Sequence, residues 1–378
     1  MAGIADPRLS RADAPGFRAD RAGPADDPVL RRLLRARPME GEVRLTLERE
    51  PSFRRAQAIE GDRHYTVVVR NTATGEIVGM GSRSVREVWV NGERARLGYL
   101  GALRAAPGRR GLVRLAAGYR EVETTRRADE IPFDLTSVVA DNSVARHLLE
   151  RGLPGLPKYQ PLCDYRTLLI PVGRRRRSRD PQLDVATLKD LGEIAHCLDR
   201  NLRRYQFAPV WSEGVLRSRE RCPDLRAADF MLIREGGQIV GCAACWDQRR
   251  FKQVVVRGYA PRLARFRPAL NLVFGLGGRP RLPAVGAELP LAYISHLAID
   301  GDRAELALAL IDALRRQCAS GDVEALAVGF AIDHPLLPHV ERHYPTRSYA
   351  SRLYRVQWPG APEFALDGRV PHLEVATL

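Results

Sequence analysis

The stretch LGYLGALRAAPGRRGLVRL, residues Leu97 to Leu115, carries the plainest chemical signal in the chain. Gly108 and Gly111 let the backbone approach a ligand closely, and Arg109, Arg110 and Arg114 place positive charge around them. An apolar strand enters this turn and a helix leaves it near Leu112. Unpaired N–H groups and the positive end of the helix dipole therefore face one point. That combination is suited to holding a phosphate.

The elements that must position the loop are legible on both sides of it. From Val43 the pattern gives a strand, a short helix around Phe53–Ile59, a strand over His64–Arg70 and a turn at Asn71–Gly75. A long strand then reaches the tight Asn91-Gly92 hairpin that feeds the loop. Beyond the loop helix come a strand over Phe133–Ala140, Asp141-Asn142-Ser143 opening the helix Val144–Arg151, and a strand ending near Val172. The same order returns in the second half, with a central strand Leu291–Ile299, a helix Glu305–Cys318, a strand Ala325–Phe330, a helix Leu336–Tyr344 and a final strand Ser351–Val356. This divides the chain into a disordered lead (1–38), a first unit (39–172), an Arg-rich linker (173–182), a second unit (183–360) and a C-terminal tail (361–378).

At 378 residues the chain is too long for one ordinary core, and its 45% hydrophobic and 28% charged fractions suit a globular protein. No apolar run approaches the roughly 20 residues of a membrane helix, and no apolar h-region opens the sequence, so the expected compartment is the cytoplasm. The net charge of +15 would ordinarily point to a polyanion. Only three of the 60 basic residues are lysine, however, and Ala, Gly and Pro are plentiful, a skew that a GC-rich genome produces unaided. Nucleic acid is set aside as a partner, because the run Arg174–Arg177 is short and no recognition motif accompanies it. The six cysteines are scattered and expected as free thiols, with Cys242 and Cys245 inside a strand. No second CxxC pair accompanies Cys242 and Cys245 to complete a zinc site.

The order of elements around the Pro107-Gly-Arg-Arg-Gly111 loop resembles the GNAT superfamily of N-acyltransferases, which bind the pyrophosphate of acyl-coenzyme A there. The resemblance implies an α+β fold of two tandem GNAT-like domains, each a mixed, mostly antiparallel sheet flanked by helices. It implies acetyl-CoA or a longer acyl-CoA as co-substrate, with no metal. The donor would be held in the first unit by Leu103, Arg104, Ala105, Gly108, Arg109, Arg110, Gly111, Leu112, Val113 and Arg114, with Asn142 and Ala145 toward the pantetheine arm. Backbone groups of Leu103 and Ala105 become candidates for the donor carbonyl and the oxyanion. The corresponding stretch of the second unit, Ile299–Glu305, carries three carboxylates and would repel pyrophosphate, so the donor is expected in the first unit.

For the proton on the acceptor amine, the candidates are Glu87 and Tyr99 in the first unit and His334, beside Asp333, in the second. Tyr159 and Tyr165 are candidates for protonating the leaving thiolate. Each residue also has a non-catalytic reading: Glu87 in a surface ion pair with Arg86, Tyr99 as a core aromatic, Asn142 as a helix cap, and Asp333-His334-Pro335 as a helix start. The expected acceptor is a small-molecule or protein amine, with an acidic acyl carrier protein as a further partner. The alternative class is a non-catalytic acyl-CoA sensor or scaffold. It is favoured by Val113 where a small residue is usual, by Gly108 where the family has Gln or Arg, and by the acidic second loop.

Overall fold

The structure is a computed structural model that describes residues 13, 14, 16–36, 38, 39, 41–105, 111–153, 156–172, 183–276 and 281–378. The Arg-rich linker and the loop residues Gly108, Arg109 and Arg110 lie outside the described residues. In chain order the first half comprises β1 (Asp13–Ala14), β2 (Phe17–Arg21), α1 (Asp27–Arg35), β3 (Val43–Glu48), α2 (Phe53–Gln57), β4 (Arg63–Asn71), β5 (Ile77–Val90), β6 (Glu93–Ala105), α3 (Gly111–Glu123), β7 (Glu130–Val139), α4 (Ser143–Glu150) and β8 (Lys158–Pro171). The second half adds β9 (Leu183–Val185), α5 (Leu191–Leu202), α6 (Glu213–Arg217), β10 (Phe230–Glu235), β11 (Gln238–Trp246), β12 (Gln253–Tyr259), α7 (Pro261–Leu276), β13 (Leu291–Ile299), α8 (Ala304–Cys318), β14 (Ala325–Ala331), α9 (Leu337–His343) and β15 (Arg347–Gln357).

Among the described residues one continuous sheet runs in the order β1, β2, β4, β5, β6, β7, β15, β8, β14, β13, β11, β10, β9. Its pairs are antiparallel except β6 with β7 and β13 with β14. The two halves exchange their last strands. The second half's β15 pairs with β7 of the first, and the first half's β8 pairs with β14 of the second. The boundaries 39–172 and 183–360 therefore divide the sequence but not the sheet. Strand β12 pairs with β3, giving a second contact between the halves.

Local sequence explains the elements that flank the site. Asn91 and Gly92 both take positive φ (53° and 80°), the conformation of a two-residue turn that closes β5 onto β6. Helix α8 buries Leu306, Ala307, Leu310, Ile311, Leu314 and Cys318 at helical spacing against β10, β11 and β13. Helices α1 and α3 lie on opposite faces of the first half's sheet. Leu30 and Leu34 of α1 pack with Phe53, Val68 and Met80. Ala117, Tyr119 and Val122 of α3 pack with Val67, Val69 and Leu100.

Two segments depart from the sequence expectation. The expected disordered lead contains β2, which pairs with β4 in the register Phe17 to Asn71, and the buried helix α1. The expected tail folds back between the halves. Leu373, Ala376 and Thr377 are buried, and the Tyr165 hydroxyl donates to Leu373 O at 2.7 Å while accepting from Leu373 N at 3.2 Å. Gly329 is required for this insertion, because a Cβ there would lie 2.3 Å from a Val375 methyl. Tyr165 is thereby a structural anchor for 373–377 and not a thiolate acid. Tyr165→Phe strands a buried N–H and C=O and is expected to lower stability by about 2 kcal/mol, read as the urea midpoint at unchanged slope. A change below about 0.5 kcal/mol would contradict the anchoring role.

Candidate functional site

The parallel strands β6 and β7 are in register from Arg96 and Glu130 to Tyr99 and Leu135, and no register pair follows. Beyond that point both strands continue, β6 to Ala105 and β7 to Val139, and diverge as a V. Tyr99 sits at its crotch. The Tyr99 hydroxyl lies 2.6 Å from Ser137 Oγ and accepts from Ser137 N at 3.2 Å, taking the place of a strand partner. Thr136 Oγ1 donates to Leu100 O at 2.8 Å. Three residues past Tyr99, Ala102 has φ of 51°, a bulge that shifts the β5–β6 register between Met80 and Ser82. Leu103 (44% exposed), Leu112 (50%) and Val144 (79%) are exposed apolar side chains of β6, α3 and α4 around this V.

The second half repeats the geometry and fills it. Register between β13 and β14 ends at Tyr293 and Ala327, and the residue three further on, His296, has φ of 54°. At this bulge His296 N donates to a carboxylate oxygen of Glu374 at 2.9 Å. Residues 374–377 thus occupy the second V. Its loop is likewise closed: Asp300 accepts from Arg200 and Asn201, and Asp302 accepts from Arg204 and from the Tyr205 hydroxyl at 2.7 Å. The two bulges are structural counterparts, so the first V presents the same outward-turned backbone without an internal carboxylate at it among the described residues.

On the α1 side of β5 and β6, buried polar groups from both halves converge. Ser84 Oγ donates to Glu60 at 2.8 Å, His64 Nδ1 lies 3.1 Å from Ser84 Oγ, and Arg49 pairs with Glu60. Arg86 bonds the Thr377 hydroxyl, and Lys252 donates to Ala376 O at 3.4 Å and to Leu378 O. Burial, and then the charge of Arg49, lowers the Lys252 ammonium to about 7. Burial raises the Glu374 carboxyl to about 7, opposed by the hydrogen bond from His296 N and by the charges of Arg86 and Lys252. Burial lowers Arg86 to about 10, with Arg221 adding repulsion, and also pushes His64 down.

The structure separates the sequence candidates. Leu103, Ala105 and Leu112 stand at the open V, with Gly111 opening α3 beside unfilled space. Arg104 is in register with Met80, on the α1 side. Val113 is partly buried against the α3 core, and Arg114 is buried, its guanidinium 5.8 Å from the Phe17 ring centroid. Asn142 caps α4 by accepting from Ala145 N at 3.1 Å. Glu87 is excluded as the base. It is in register with Arg96, five residues or about 15 Å from Gly101, and alternation turns it away from the face carrying Ser84 and Arg86.

Tyr99 is a wedge and not a base, since burial raises its pKa. His334 is also corrected. It is buried and stacked on Tyr205 at 4.9 Å, its Nδ1 accepts from Leu336 N at 3.2 Å, and burial lowers it to about 4, so it is neutral and its lone pair is engaged. Tyr159 is bonded to the Tyr119 hydroxyl inside the core. Sequence reasoning missed Glu374, Lys252, Arg49 and Glu60. An isolated acid in an apparent tail and one of only three lysines carried no periodic signal.

The architecture is the GNAT fold, a mixed sheet flanked by helices. N-myristoyltransferase of Saccharomyces cerevisiae, solved with bound myristoyl-CoA, superposes with a TM-score of 0.57 at 12% identity over 96% of this chain and 86% of that one. The glucosamine N-acetyltransferase region of a fungal multi-domain β-N-acetylglucosaminidase gives 0.58 at 12% identity, covering 93% of this chain and 40% of that one. A probable N-acyltransferase from Enterococcus faecalis gives 0.50 at 11% identity, covering 90% and 73%. At these identities the likeness is one of fold. No protein-family model matches the sequence, and no curated protein matches it in sequence. Among the described residues no helix is long and apolar enough to cross a membrane.

Proposed function

We propose that the chain is an acyl-CoA-dependent N-acyltransferase with its donor thioester in the open V of the first half and its acceptor amine on the α1 side. The observation that carries this reading is the pair of matched bulges at Ala102 and His296, of which the second already donates an N–H to a carboxylate oxygen. The same geometry in the first half offers N–H groups near Ala102 and Leu103 to a thioester carbonyl and to the oxyanion that develops on it. The amine attacks the carbonyl carbon, a C–N bond forms and the C–S bond breaks. The proton lost by the amine passes through solvent on the α1 side to Glu374, and solvent protonates the departing thiolate.

The expected donors are those of the fold's named neighbours, acetyl-CoA or a longer acyl-CoA such as the myristoyl-CoA bound by the yeast enzyme. Calorimetric titration with coenzyme A, acetyl-CoA and a long-chain acyl-CoA tests the placement. Gly111→Asp sets a carboxylate at the start of α3 and is expected to weaken binding tenfold or more. Asp302→Ala, in the closed second loop, is expected to leave it unchanged. Equal effects of both, or binding to neither wild type nor variant, would overturn the assignment. Tight binding without thiol release on any amine would favour the sensor reading.

A further inference from the structure

The α1 side of β5 and β6 holds more positive charge than its partners answer. Among the described residues no ion pair is formed by Arg86, Arg104 or Lys252, although Arg86 and Lys252 are buried. Arg49 uses one arm on Glu60 and lays its guanidinium 4.6 Å from the Phe53 ring centroid, while its Nη1 is buried without a hydrogen-bond partner. Arg104 donates from Nη1 to Leu103 O at 2.9 Å, and its Nε is likewise buried and unpartnered. Arg49 lies over the Phe53 ring, Phe53 packs in one cluster with Met80, and Arg104 is in register with Met80, so both guanidinium groups stand on the same side of β5 and β6.

Buried donors of this kind carry a desolvation cost that an anionic acceptor offsets. Two guanidinium groups in one place match the oxygens of a carboxylate in particular. Arg104 also lies one residue from Leu103, at the mouth of the V, so an anion bound there sits within a few bonds of the acyl carbon. This inference rests on the acyltransfer reading and adds the class of acceptor to it.

We infer that Arg49 and Arg104 form a carboxylate subsite, and that the acceptor is a small amine bearing a carboxylate, of the amino-acid class. The subsite fixes the acceptor by its carboxylate, leaving the amine toward the thioester carbonyl at the Ala102 bulge. Neutral or cationic amines of equal size lack that hold and leave the arginines unpaired.

Two readouts on the full chain separate this inference from the transfer reaction beneath it. In the first, thermal shift and calorimetry compare glycine, β-alanine and γ-aminobutyrate with their amides, using wild type, Arg104→Met and Arg49→Gln. Binding is expected for at least one acid and for none of the amides, with a tenfold or greater loss in Arg104→Met. That variant removes no ion pair, so it guards against a folding defect in Arg49→Gln. In the second, thiol release from acetyl-CoA is followed with the same amines. The acid is expected to exceed its amide at least tenfold in kcat/KM, with the Arg104→Met loss falling mainly in KM. Acid-selective binding without thiol release would sink the transferase reading and keep the subsite. Equal use of acids and amides, equal binding of both, or a preference for succinyl-CoA over acetyl-CoA that Arg104→Met abolishes, would overturn the carboxylate acceptor.

Discussion

Glu374→Gln is expected to slow acyl transfer by roughly 10²- to 10⁴-fold, the range seen when a general base is removed, while acyl-CoA binding stays within about twofold of wild type. The carboxyl is buried and raised to about 7, so near neutral pH it can both accept and release a proton. Wild-type kcat should rise with pH through about 7, as Glu374 loses its proton, and that limb should vanish in the variant. The stability signature has its own sign. Between about 4.5 and 7 the native state keeps a proton that the unfolded chain has released, so wild-type stability falls as pH rises across that window. Lys252 acts in the opposite sense. From about 7 to 10.5 the unfolded chain holds the proton, and stability rises with pH. In Glu374→Gln the first slope should flatten. A rate limb near pH 7 that survives unchanged in this variant would contradict Glu374 as the base, and a loss of rate seen only in Glu60→Gln would assign the proton to Glu60.

Arg83→Met is expected to be the most damaging single change to the fold, lowering stability by about 3–5 kcal/mol. Arg83, Glu130 and Asp134 have fully buried side chains. Arg83 Nη2 donates to Asp134 at 2.8 Å and to Glu130 at 2.5 Å, and Trp358 Nε1 donates to the other Asp134 oxygen at 2.8 Å. Removing the cation leaves Asp134 buried without an ion-pair partner among the described residues and Glu130 with Arg63 alone to answer it. The ions also explain Gly98, where a Cβ would stand 2.0 Å from Asp134 Oδ1. Because Trp358 follows the exchanged strand β15, the damage should spread to the junction of the halves. Urea unfolding of Arg83→Met, Asp134→Asn and the double variant is the check, with the double expected to cost less than the sum of the singles. A loss under 1 kcal/mol for Arg83→Met would contradict the account.

Much of the first half around the open V is legible in the sequence because its signals are local. The Asn91-Gly92 turn, the strand β6 followed by the helix α3, the Asn142 cap and the carboxylates of Ile299–Glu305 each depend on neighbours in the chain. The acceptor side is not legible, for physical reasons. Strand partners are chosen by the whole sheet, and nothing in Lys158–Pro171 or Arg347–Gln357 marks them for exchange. Ala102 and His296 carry positive φ inside apolar strand patterns, with no Gly or Asn to mark either position, so the bulges that define the two clefts are not legible in composition. Residues 17–35 contribute few apolar side chains, yet Leu30 and Leu34 suffice once α1 has a sheet to cover. Glu374 and Lys252 acquire their chemistry only through burial, which single residues far from any motif do not announce. The arginine excess reads as genome composition, but inside the fold much of it is paired, as Arg200 with Asp300 and Arg249 with Asp247 and Asp322 show.

Amide hydrogen exchange across β6 and β13, with and without saturating acyl-CoA, tests the central claim most directly. Slowed exchange is predicted within residues 99–105 and the first turn of α3, with residues 293–299 unchanged because the second V is already filled by 374–377. Protection confined to 293–299, or absent from both strands under conditions where binding is saturated, would contradict a donor site in the first half.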